Sequence, residues 1–260
     1  MRLTKLMKNT FFIFLVFCSF SSYGQDWKNW NSLSVDLAFS KKLELGLSHL
    51  RSYNINDGYS NGFNQTSIDA SYDFTKHFSV KTGFALTGFA ADAVVSQKYF
   101  GRATYKISFA DAVNWNNGLQ GEMHTASGKG NSYRIIYITR FGLKHRMSFL
   151  NLSPSIAYWL FYNIGGNAIQ YYDESGSPLV KESPDGLHRG RFIWNLNSKI
   201  NKNLSLSLFY MNQHEFNLLG NDINVVNPGT GKVTRPFKNY QVAGGLSLSL
   251  AFICTKNPKK

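Results

Sequence analysis

Every second residue of this chain is apolar over stretch after stretch of about ten residues, and a polar segment follows each stretch. From Gln241 to Phe252, one face carries Val242, Leu246, Leu248, Leu250 and Phe252. The other face carries Gln241, Ala243, Gly245, Ser247, Ser249 and Ala251. A β-strand sends successive side chains to opposite faces, so such a chain folds as a sheet with one oily and one polar side. Strands are predicted over 31–40, 43–51, 66–74, 78–87, 99–109, 113–124, 132–144, 150–162, 190–200, 204–210 and 241–252. Most exceed the roughly five or six residues usual in soluble sheets. Their polar faces carry Ser, Gly, Asn and charge, as a wet lumen would. The predicted class is all-β: a transmembrane, antiparallel, up-and-down barrel of ten to twelve strands behind a cleaved signal peptide.

The connections support closure. Those near 41, 76, 111, 146 and 202 are short, and those near 57, 92, 128, 175 and 226 are long. Tight turns on one rim and longer loops on the other are expected of an outer-membrane barrel. Two of the long connections read as hairpins, Ile169 to Lys181 around Glu174–Ser177 and Ile223 to Thr234 around Pro228–Gly231. Trp115, Tyr158, Trp159, Tyr162, Trp194 and Tyr210 sit where interfacial girdles form. The eleven predicted strands conflict with the even number usual for bacterial barrels. Gln25 to Asn31, with Trp27 and Trp30, is the segment that could supply another strand or an interior piece.

Residues 1–24 read as a Sec-type signal peptide. Arg2, Lys5 and Lys8 precede the apolar run Phe11–Phe20, and Ser22-Tyr23-Gly24 precedes the expected cleavage at Gln25. Cleavage removes three of the thirteen net positive charges and leaves +10. Residues 25–252 are then the barrel and 253–260 a short periplasmic tail. No later run approaches the roughly 18 apolar residues of a spanning helix, so a membrane can be crossed only by a closed sheet. Cys18 leaves with the signal and Cys254 remains alone, which excludes an internal disulfide. Lys and Arg are scattered through the strands, a distribution that argues against nucleic acid and for an anionic glycolipid surface or an anion-lined lumen.

The last strand ends on Phe252, like the signal that barrel-insertion machinery recognises. The end of the signal at Tyr23-Gly24-Gln25 and the Trp27/Trp30 start are two further marks. Leu43-Glu44-Leu45-Gly46-Leu47 closing on Arg51, the Glu122 strand and the Arg134/Arg140 strand complete the set. With these features the chain resembles a family of outer-membrane barrel proteins of Bacteroidota-type bacteria, a domain of unknown function. The resemblance implies an outer-membrane location and brings no activity.

By register, the lumen should hold Asp36, Glu44, Asp69, Asp73, Glu122 and Glu215. Facing them should be Lys81, Arg102, Lys106, Arg134, Arg140, Lys144, Arg191 and Lys199. Lys or Arg facing lipid at mid-depth costs about 2–4 kcal/mol each, so these charges point inward. They form either a salt-bridge ladder that fills the barrel or an anion-selective ring of Arg102, Arg134, Arg140 and Arg191 beside Glu122. A lipid hydrolase would need a serine within hydrogen-bond reach of a histidine. His49 and Ser60 are the candidates, and no spacing joins them. There is no CxxC, HExxH, EF-hand or phosphate loop, so no metal or cofactor is expected. The expected function is a non-enzymatic outer-membrane barrel in contact with membrane lipids and lipopolysaccharide. The alternatives are a small anion-preferring pore or transporter and a lipid hydrolase.

Overall fold

The computed structural model describes residues 26–89, 92–109, 112–125, 131–172, 178–182, 185–219, 226–227, 232–233 and 240–253. The expected signal peptide, the tail after Ile253 and the tips of both hairpins lie outside these residues. The strands are β1 (Asp26–Ala38), β2 (Leu43–Asn54), β3 (Ser60–Asp73), β4 (Phe78–Phe89), β5 (Asp92–Phe109), β6 (Val113–His124), β7 (Asn131–Leu143) and β8 (Leu152–Gly166). They continue with β9 (Ile169–Tyr172), β10 (Pro178–Glu182), β11 (Gly186–Lys199), β12 (Leu204–Leu219), β13 (Val226–Asn227), β14 (Lys232–Val233) and β15 (Tyr240–Ile253). Eleven of them close a barrel in the order β1-β15-β12-β11-β8-β7-β6-β5-β4-β3-β2. The pairs β9–β10 and β13–β14 form separate two-stranded sheets, where both loop hairpins were predicted.

The odd count has a physical resolution. Strands joined by successive hairpins alternate in direction, so an eleven-strand ring must contain one parallel pair. That pair is β1–β15, with Ser34 opposite Ser249 and Leu37 opposite Phe252. The barrel is therefore antiparallel except at its seam. The Trp27/Trp30 segment extends β1 rather than adding a strand. As a consequence β1 starts at the rim of the longer loops and β15 ends at the rim of the tight turns.

Three tight turns share one chemistry. Ser40 Oγ accepts from the amides of Lys42 and Leu43, Thr75 Oγ1 from those of His77 and Phe78, and Asn201 Oδ1 from those of Asn203 and Leu204. Side-chain oxygens of this kind satisfy turn amides that no ladder reaches. The opposite rim is less uniform than expected. Only two residues separate β4 from β5, so the region near 92 is strand where a long loop was predicted.

The oily face points outward. Leu47, Ile68 and Leu119 are 53%, 55% and 58% exposed, and Leu33, Leu86, Tyr137, Phe141, Ile156, Leu208 and Leu246 share that face. The inner face is partly apolar as well. Ile136 (2% exposed) packs with Ile138, Phe161 (1%) and Trp159, and Met211 packs with Tyr240, Val242 (0%), Trp30, Ile193 and Phe209. Two sequence assignments are thereby corrected. Trp159 belongs to this interior and not to an interfacial girdle. Val242 faces inward because β15 carries a bulge: Phe209 pairs with Gly245 and Met211 with Val242, so β15 spends one extra residue and reverses its faces. Across the seam, Lys28–Asn31 opposite Val242–Leu246 shows the same insertion.

Candidate functional site

The polar interior is laid out by register. In the half nearer the longer loops, neighbouring strands place Lys98 and Arg102 (β5), Glu122 (β6), Arg134 (β7), Arg189 and Arg191 (β11) and Glu215 (β12) on the inner face. Glu122 is buried at the centre of a donor shell. Its Oε1 accepts from Gln120 Nε2 at 2.7 Å and lies 3.2 Å from Lys98 Nζ. Its Oε2 lies 3.1 Å from His124 Nε2 and 3.4 Å from Arg134 Nη1.

The arginines are held by a recurring device. Arg102 Nε donates to Gln120 Oε1 at 2.6 Å, Arg134 Nε to Asn163 Oδ1 at 2.9 Å, and Arg191 Nε to Gln213 Oε1 at 2.8 Å. In each case the acceptor is the residue directly opposite on the next strand. Arg140 Nε and Nη2 both donate to the Ser155 hydroxyl. A neutral acceptor fixes a guanidinium without cancelling its charge. Phe161 supplies a shared floor: the guanidinium carbons of Arg189, Arg191 and Arg134 lie 4.3, 4.9 and 5.8 Å from its ring centre. Planar cations commonly stack on aromatic rings in this way. Arg191 also donates to the Tyr240 hydroxyl at 3.0 Å.

Toward the tight turns of β1–β3 the sign reverses. Asp36, Glu44, Asp69 and Asp73 face inward there, and Lys81 Nζ lies 2.7 Å from Asp69 Oδ1. The carboxylates thus gather on the β1–β3 side of the tight-turn half, while Lys106 and Arg140 lie on its β5–β7 side.

A family model described as "Protein of unknown function (DUF2490)" matches residues 27–224, most of the barrel. The chain belongs to this family. No curated protein matches this DUF2490 chain. A solved structure described as "Unveiling the Mechanism Behind the in-meso Crystallization of Membrane Proteins" is 12% identical. The match covers 76% of this chain and 80% of the other with a TM-score of 0.37, too loose a likeness to carry an argument.

For this DUF2490 member, four of the five residues expected around the lumen come together: Arg102, Glu122, Arg134 and Arg191. Arg140 is six residues along β7 from Arg134, about 20 Å at strand rise, and belongs to the tight-turn half. Lys98 and Arg189 join the cluster although each lies one residue outside the strands predicted over 99–109 and 190–200. Extending the alternation of β5 and β11 by a few residues would have found both. Phe161 was hidden by the assumption that the inner face is polar. His49 and Ser60 are not brought together. His49 Nδ1 pairs with Thr66 Oγ1 at 2.9 Å, and Ser60 lies opposite Asn54 near the start of β3.

Proposed function

We propose that this protein is an integral outer-membrane β-barrel without enzymatic activity, seated among membrane lipids and lipopolysaccharide and inserted through its C-terminal strand. The supporting observation is the inversion of the ordinary protein pattern. Large apolar side chains cover the outside of the barrel, while Gln120, Glu122, Asn163, Gln213 and Arg189 are buried within. A continuous apolar exterior of this size is what hydrocarbon covers. Leu246, Leu248, Leu250 and Phe252 continue it along β15, the strand an insertion machinery would read. The test is heat-modifiable migration of the protein extracted from membranes. A closed barrel runs as a compact band until boiled, and recovery as a water-soluble monomer without detergent would end the reading.

A second reading, a narrow anion-preferring conduit, is favoured by the arginines pinned on neutral amides. Single-channel recording would show anion-selective steps that vanish in Arg134→Ala. The apolar clusters of β7, β8, β11, β12 and β15 occupy part of the bore, so the expected conductance is small.

A further inference from the structure

We infer that the basic half of the lumen is a binding site for a polyvalent oxyanion, a phosphate-bearing group, held by Arg134, Arg189 and Arg191 around Phe161. The inference rests on the reading of the inner face as a lumen and adds to it a ligand class and a place. Three observations converge. The first is charge: among the described inward-facing side chains of the barrel strands β5–β12, Lys98, Arg102, Arg134, Arg189 and Arg191 share this half with two carboxylates, Glu122 and Glu215. A ladder that merely filled the barrel would match cations with carboxylates. Here Arg102 and Arg191 donate their Nε–H to glutamine side chains, which position a cation without themselves cancelling its charge. The second is proximity. Three guanidiniums crowd one ring, an arrangement that self-repulsion opposes and that a multiply charged anion between them would relieve. The third is donor surplus. Trp30 Nε1 and Asn163 Nδ2 are buried without an acceptor among the described residues. Trp30 lies 5.8 Å from the Arg191 guanidinium, and Asn163 already accepts from Arg134. Buried donors are ordinarily satisfied. Orphan donors beside surplus cations call for an acceptor-only partner, and planar guanidinium edges suit phosphate oxygens.

The experiment uses the full chain folded in detergent, with inorganic pyrophosphate as probe and chloride at equal ionic strength as control. Calorimetry is expected to show saturable binding. Affinity should fall at least tenfold in Arg191→Gln and in Arg134→Gln, and less in Arg191→Lys. Glu122→Gln removes a carboxylate from the shell and should bind several-fold more tightly, whereas a purely structural ladder gives no gain. Each variant is first checked for the compact unboiled band, so a failed barrel is distinguished from a failed site. Competition by micelles containing phosphatidic acid assigns the anion to a lipid headgroup, and absence of competition assigns it to a free solute. A compact barrel that binds no pyrophosphate at millimolar concentration overturns the proposal. So does binding that is equal in Arg191→Gln, Arg134→Gln and the unmodified chain.

Discussion

At the scale of single residues, Glu122 and Gly245 show two different ways the interior is fixed. Glu122 gathers Lys98, His124, Arg134 and Gln120 on its two oxygens. Removing one partner of a buried ionic cluster costs more than the cluster contributes, because the remaining charges stay dehydrated and unopposed. Glu122→Ala is expected to lower the free energy of unfolding by about 3 kcal/mol. Urea titration of the barrel in lipid vesicles, followed by tryptophan fluorescence, measures it; a change below half that value would mean that water reaches the cluster freely. Gly245 works by absence of a side chain. The Phe209 ring lies directly over it, where a Cβ would stand, and the two are register partners on β15 and β12. Gly245→Val should force the ring out of its packing with Met211 and Val242 at a cost of about 1–3 kcal/mol. The paired change Gly245→Val with Phe209→Ala should recover part of that loss, as a double-mutant cycle would show.

At the scale of strands, alternation made the outward face legible almost residue by residue, because one slip of register exchanges oil for water along a whole strand. Leu33, Leu47, Ile68, Leu119 and Leu246 all lie where the two-residue period puts them. What the period could not show is what disturbs it. Val242 was misplaced because a bulge is a local insertion that leaves the composition of the strand unchanged. Ile136 and Phe161 escape because an inner apolar residue between two outer ones reads as a smooth oily run, and Met211 because it lies one residue past the strand predicted over 204–210. The cluster around Phe161 joins β7, β8 and β11, and sequence distance does not reveal such neighbours. The outward face itself gives a quantitative expectation. Leu119 points away from the interior at the middle of β6. In hydrocarbon Leu119→Arg should cost about 2–4 kcal/mol, whereas on a wetted surface it should stay within about 0.5 kcal/mol. Unfolding titrations in vesicles separate the two, and the small value would place water on the apolar face.

At the scale of the whole molecule, the decisive feature is the seam. An even-numbered barrel would bring β15 against an antiparallel neighbour and leave both ends of the chain at one rim. Here β15 pairs with β1 in parallel, and the start of β1 and the end of β15 lie at opposite rims. The Ser34 and Ser249 hydroxyls meet across this seam at 2.8 Å on the inner face. Directly opposed residues of adjacent strands lie about 5 Å apart, within the 4.4–6.8 Å Cα separation that a disulfide tolerates. The pair Ser34→Cys with Ser249→Cys, made in a background with Cys18→Ser and Cys254→Ser, should therefore close under mild oxidation. The ring would then be covalently sealed. On a non-reducing gel the boiled, oxidised protein should migrate ahead of its reduced form, because the linked chain cannot fully extend. Ser34→Cys with Ser207→Cys serves as the control, since β12 does not border β1 and should yield no bridge. If the control pair crosslinks as readily as the seam pair, the barrel closes through other strands. If neither does, β1 is not the eleventh stave, and its tryptophan-bearing start must be placed elsewhere in the envelope of the barrel.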